Sequence, residues 1–231
     1  MSKGICYGVS VGPGDPELLT LKAVRIISNA DIIFLPSAPK EKCKVYKILK
    51  ASSLDIDEEK YVCIDTASMA DPKVQSERYD TLASEVSKYL DDGKNVAFPA
   101  LGEVCIYSTY YYVHERLVKR GYECKLISGI SSVQEASDSL LISLAQGDEE
   151  VHIFPDTENI EEKLKMPNTK VFMKPKSDLD DTVKIIREYA KDHPETRAYG
   201  ISNVSGENEV IARSLEELDK LSGYMTVIIV K

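Results

Sequence analysis

A chain of 231 residues with 43% hydrophobic and 29% charged side chains is long enough to bury a substantial core in one large domain or two small ones, which excludes a disordered polymer. Its formal net charge of -9 argues against nonspecific nucleic-acid binding, while a local basic cleft for an anionic small molecule stays open. The five cysteines are scattered and never in CxxC spacing, and no apolar run reaches the roughly 18 residues of a membrane helix, so a reduced, cytoplasmic protein without signal peptide or zinc site is expected.

The first segment, GICYGVSV over residues 4–11, sets Ile5, Tyr7, Val9 and Val11 at period two and runs into the glycine-rich turn GPGDP, which reads as a strand ending in a tight loop. Apolar residues at helical spacing follow from Leu21 to Ile27, with Thr20 as the cap, and the short branched run DIIFL is a strand stopped by Pro36. This βαβ pattern continues: a helix near 41–50, a strand over 61–64, a helix over 73–92 closed by Gly93, a strand over 95–99, and a helix over 109–120 closed by Gly121. Strands alternating with helices predict a mostly parallel sheet.

Beyond Gly121 the pattern changes. Strands are expected at 123–127, 151–154 and 171–173, helices at 132–141 and 177–192, and hairpin-connected strands at 198–201, 209–212 and 225–230. The expected fold is therefore α/β in two lobes, an N-terminal one with a mostly parallel sheet over residues 1–117 and a C-terminal one with a mixed sheet over 118–231.

Three loops follow predicted strands: Gly12 to Pro16, Leu101 to Ser108, and Ser128 to Ser132. Ligands of open α/β sheets bind outside the carboxyl ends of strands, so the three are candidates for one crevice. By itself GPGDP reads equally as a plain connection or as an anion-binding turn, because it is neither GxGxxG nor a P-loop.

Taken together, GVSVGPGDPELLTLKA, LGEVCIYST and SGISS resemble the tetrapyrrole (corrin and porphyrin) methylases, with their GxGPGDPxLLTxKA opening, GDPxxYS-type loop and PGI[ST]S-type loop. The resemblance runs over nearly the whole chain. Within it the YST after the second loop, LAQGDEEVHIFP, KVFMK and GYMTVIIV are most similar to the branch that methylates C20 of precorrin-2 or its cobalt complex. It implies S-adenosylmethionine as methyl donor, S-adenosylhomocysteine as product, a small-molecule tetrapyrrole substrate, and a homodimer with the cofactor between two lobes. The implied cofactor contacts are Pro13, Leu101, Gly102, Glu103, Ile106, Ser131, Ser132 and Met173. Two positions depart from the family pattern: its Gly-Asp-Pro is Gly102-Glu103-Val104 here, and the Pro before its third glycine loop is Ser128.

No catalytic side chain is assigned, since transfer from an activated sulfonium calls for positioning more than acid–base chemistry. Of the aromatic residues near the second loop, Tyr107 and Tyr110 are candidate substrate contacts; neighbouring tyrosines on one helix point in different directions and belong to packing. Lys40, Lys42, Lys44 and Lys47, or Lys174 and Lys176, could form a basic rim for substrate carboxylates, although a solvated helix face is the simpler reading of the first group. His114, His152 and His193 lack ligand spacing, and no bound metal is expected. Competing readings are methylation at another tetrapyrrole position, a diphthine-synthase-like enzyme, and a noncatalytic nucleotide- or phosphate-binding module.

Overall fold

The computed structural model describes residues 2–35, 39–63, 72–175 and 179–231. The chain forms two compact units, Met1–Ser131 and Ser132–Lys231. The first contains β1 (Cys6–Ser10), α1 (Leu21–Asn29), β2 (Ile32–Leu35), α2 (Lys44–Ala51), β3 (Tyr61–Cys63), α3 (Pro72–Asp91), β4 (Val96–Ala100), α4 (Tyr110–Lys119) and β5 (Cys124–Ile127). These strands pair in the order β3-β2-β4-β1-β5, every pair parallel. The boundary expected at 117/118 is therefore corrected to 131/132. After α4 the chain returns to lay β5 beside β1, with Cys6 opposite Cys124 and Val9 opposite Ile127, so β5 completes the first sheet.

Both faces of this sheet are covered. Cys6, Phe34 and Phe98 pack with Leu82, Val86 and Leu90 of α3 and with Tyr110, Val113 and Leu117 of α4. Val9, Ile33 and Ala97 pack with Ala23 and Ile27 of α1 and with Val45, Ile48 and Leu49 of α2 on the other side. Each fully buried Val, Leu, Ile or Phe contributes about 1.5–3 kcal/mol of transfer free energy, so the two-faced core explains why strands here are apolar runs more than alternations. Pro99 stands in the central strand β4 past the point where the β2 ladder ends at Ala97, so its missing N–H interrupts no registered pair on that side. The expected cap of α1 is present, with the Ala23 amide donating to Thr20 Oγ1 at 3.1 Å.

The second unit contains α5 (Ser132–Leu140), β6 (Val151–Phe154), α6 (Ile160–Leu164), β7 (Thr169–Met173), α7 (Leu179–Asp192), β8 (Ala198–Ser202), β9 (Val210–Ala212) and β10 (Thr226–Val230). Its strands order as β6-β7-β10-β8-β9; β6 and β7 are parallel and the other pairs antiparallel, the mixed sheet expected. Helix α6 was not foreseen, because five residues are too few to carry a 3.6-residue period. Pro36, Ile64 and Ser177, which bounded predicted elements, lie outside the described residues. No described helix is long and apolar enough to cross a membrane.

The end of α5 holds an unusual residue. The Ile142 amide donates to Ser137 O at 3.1 Å and the Leu141 amide to Asp138 O at 3.0 Å, the paired bonds of a helix-ending motif whose pivot is normally glycine. Leu141 fills the pivot with φ 59° and is 85% exposed. A left-handed conformation costs a non-glycine residue roughly 1–2 kcal/mol, and the exposed side chain offsets little of it. Leu141→Gly is expected to raise unfolding stability by about 1 kcal/mol in a denaturant melt. An unchanged or lower midpoint would show that the leucine side chain compensates its own strain.

Candidate functional site

The three loops singled out in the sequence lie at the carboxyl ends of β1, β4 and β5, and these are neighbours in the sheet order, with β1 in the middle. Their closeness follows from pairing alone, and further bonds fix it. The Gly102 amide donates to Gly12 O at 2.8 Å, forming a bridge between the first two loops. Both glycines are left-handed, Gly12 at φ 76° and Gly102 at φ 72°, so a side chain at either would be strained. Thr20 Oγ1 donates to Ser128 O at 3.4 Å, a long bond from the first loop region to the third.

The stronger link is a carboxylate. Glu103 Oε2 accepts the Ser10 hydroxyl at 3.1 Å and the Gly129 amide at 2.6 Å, while Oε1 accepts the Cys105 amide at 3.2 Å. Ser10 Oγ in turn accepts the Val104 amide at 2.8 Å. Ser10 and Val104 are buried, so these groups have no access to water and depend on one another. Gly129 lets the strands' ends come this close: a Cβ there would stand 2.5 Å from the Cβ of Ser10. Ser10 and Gly129 were not selected from sequence. The available signal was a small polar residue at the end of a mostly apolar strand.

Pro13, Leu101, Gly102, Glu103, Ile106 and Ser131 all lie on these loops of the first unit, half-buried or buried, with the Ile106 amide donating to Glu103 O at 3.2 Å. Ser132 opens α5 and Met173 ends β7, both in the second unit; Met173 is 6% exposed and sits opposite Val227. The cradle of positive-φ glycine backbone and close loop contacts suits a ligand held mainly by main-chain groups.

The two tyrosines separate sharply. Tyr107 is 46% exposed at the loop, with φ 48°. Tyr110 is 1% exposed, its hydroxyl 3.5 Å from Cys6 Sγ and its ring tilted against Phe98 at 5.0 Å. Tyr110 is therefore withdrawn as a substrate contact: its ring crosses β1 at Gly8, where a Cβ would meet it at 2.0 Å, and it serves the core. Tyr112 stacks on Tyr79 and Tyr111 on His114, in keeping with packing roles.

The lysines divide as well. Lys40 is paired with Glu58, which also holds Lys50, and the two ammonium groups pull the Glu58 carboxyl down to about 2. Lys40 is thus neutralised locally, while Lys42, Lys44 and Lys47 are exposed around the start of α2. Lys174 follows Met173 with φ 48°, and burial lowers its pKa from the ordinary lysine value. Lys176 lies outside the described residues.

Residues 6–219 match the family model of the tetrapyrrole (corrin/porphyrin) methylases. The chain belongs to that family. Among similar tetrapyrrole methylases is a protein of Methanocaldococcus jannaschii named probable cobalt-precorrin-2 C(20)-methyltransferase, 31% identical over 97% of this chain and 95% of that one. A precorrin-2 C(20)-methyltransferase of Sinorhizobium is 30% identical over 67% of this chain and 65% of its own length. Among solved structures, a cobalt precorrin-4 methyltransferase superposes with a TM-score of 0.74 at 17% identity, covering 98% of this chain and 94% of the other. A uroporphyrin-III C-methyltransferase from Thermus thermophilus, complexed with S-adenyl homocysteine, gives 0.67 at 18% identity, covering 98% and 97%. At such identities the structural likeness speaks for the methylase fold.

Truncating the two tyrosines tests the division made above for this methylase. Tyr110→Ala is expected to cost about 3–5 kcal/mol of unfolding free energy by opening a core cavity, whereas Tyr107→Ala costs less than about 1 kcal/mol. Equal losses in urea melts would contradict it.

Proposed function

We propose that the protein transfers the methyl group of S-adenosylmethionine to C20 of precorrin-2 or of its cobalt complex, in the biosynthesis of cobalamin. The observation that carries this reading is the convergence of three glycine-bearing loops at adjacent strand ends in a chain whose full-length relative carries a C20-methyltransferase name. The loops at Pro13, Leu101–Ile106 and Ser131–Ser132, together with Met173, are the proposed contacts for the methyl donor. Tyr107, exposed beside them, is the proposed aromatic contact for the macrocycle.

When bound, S-adenosylmethionine would supply a methyl group already activated by a positive sulfonium. The C20–methyl bond would form as the S–methyl bond breaks, S-adenosylhomocysteine leaving and the C20 proton passing to water or to the substrate itself, so no residue of the chain is needed as nucleophile. Gly12 and Gly102 hold the first two loops in contact, Glu103 ties in the third, and the backbone so arranged fixes where the donor sits. Holding two reactants in near-attack geometry can lower a barrier by about 7–11 kcal/mol, enough to make positioning the principal contribution. The cytoplasm is proposed as the compartment, supported by five thiols that form no disulfide, and a homodimer as the assembly.

Incubation with methyl-labelled S-adenosylmethionine and either form of precorrin-2 tests the proposal directly. Label should appear in the tetrapyrrole, and NMR of the product should place it on C20. Label on another ring position would correct the regiochemistry, and no transfer to either substrate would remove the assignment.

A further inference from the structure

The departures at Glu103 and Val104 form one connected device. An ionised carboxylate is an acceptor only, with about four lone-pair positions, and here three donors from three segments converge on it. Bonds of this charge-assisted kind are stronger than bonds between neutral partners. The Ser10 hydroxyl passes the link on: it donates its one proton to Glu103 and accepts from Val104. A proline at 104 would have no N–H to give Ser10. A carboxylate one methylene shorter at 103 would fall about 1.5 Å short of the same partners. Glu103, Val104, Ser10 and Gly129 therefore depend on one another chemically.

We infer that Glu103 is a positioning residue for the methyl-donor site: its carboxylate, through Ser10 and the Gly129 amide, holds the loops after β1, β4 and β5 in one arrangement. It neither donates nor removes a proton in the reaction. This inference rests on the proposed methyl transfer for its functional consequence, while the clamp itself is a property of the ligand-free chain. The neighbouring Cys105 thiol has its pKa raised, by burial first and by the Glu103 carboxylate second.

The test uses the full chain and the variants Glu103→Gln, Glu103→Asp, Ser10→Ala and the double variant Glu103→Gln with Ser10→Ala. In Glu103→Gln the charge is lost and the carboxamide NH2 faces the Cys105 amide, whereas in a further variant, Glu103→Ala, the Ser10 hydroxyl and the Gly129 amide lose their acceptor outright. Amide exchange of Gly129 in ligand-free Glu103→Ala should then accelerate about tenfold or more, as for loss of one charge-assisted bond. Unchanged exchange at Gly129 would overturn the clamp whatever the protein's activity. Calorimetry with S-adenosylhomocysteine should show binding weakened about ten- to hundredfold in Glu103→Gln, with KM for S-adenosylmethionine rising in step and KM for the tetrapyrrole unmoved. Glu103→Asp should recover part of the loss. The double variant should bind no more weakly than Glu103→Gln alone, because both changes cut one network.

A fall in kcat with unaltered S-adenosylhomocysteine affinity would overturn the inference in favour of proton transfer. Additive losses in the double variant would overturn the relay through Ser10. If the wild-type protein bound no S-adenosylhomocysteine, the proposed function would fail, and the Gly129 exchange result would still decide the clamp.

Discussion

A strand buried on both faces inside a parallel sheet has to be narrow wherever a large side chain crosses it. In β1 the crossing is at Gly8, where the Tyr110 ring lies so close that any Cβ would meet it at 2.0 Å. That contact seats α4 on the sheet and leaves β1 free to pair with β4 on one side and β5 on the other. Because β1 is in the middle, the loops leaving the three strands emerge side by side, and everything at the candidate site follows from that adjacency.

Adjacency alone would leave three loops with considerable freedom. The Gly102–Gly12 bond and the Glu103 carboxylate remove it. A half-buried carboxylate is a costly choice unless it is hydrogen-bonded, and here it accepts from a hydroxyl and two amides. The same fact explains why the second loop carries an acidic residue without acting as an acid. Its charge is already committed to the polypeptide, in agreement with a transfer reaction whose electrophile comes activated.

Local features were legible in the sequence because local rules govern them. Thr20 caps α1, Gly93 and Gly121 follow helix ends with φ of 78° and 80°, and the GPGDP turn leaves a strand. Three of the points misread or missed depend on residues far apart in the chain. The first unit extends past residue 117 because β5 finds β1 more than a hundred residues back in the sequence, as Cys6 opposite Cys124 illustrates. Tyr110 was chosen over Tyr111 and Tyr112 as a substrate contact, yet a run of three tyrosines hides the phase of the helix, which only the sheet beneath it decides. The Ser10–Glu103–Gly129 network joins three stretches whose spacing encodes no period at all. Leu141 was unreadable for the opposite reason: the local rule calls for glycine, and the chain breaks it.

Methyl transfer at this site requires that the three clustered loops bind the methyl donor. Amide hydrogen exchange, resolved by residue and compared between the ligand-free protein and the protein saturated with S-adenosylhomocysteine, tests it most directly. Exchange should slow at Gly14, at Gly102 to Ile106 and at Gly129 to Ser132, with the start of α2 unaffected. Protection confined to other segments, or none under saturating ligand, would contradict it.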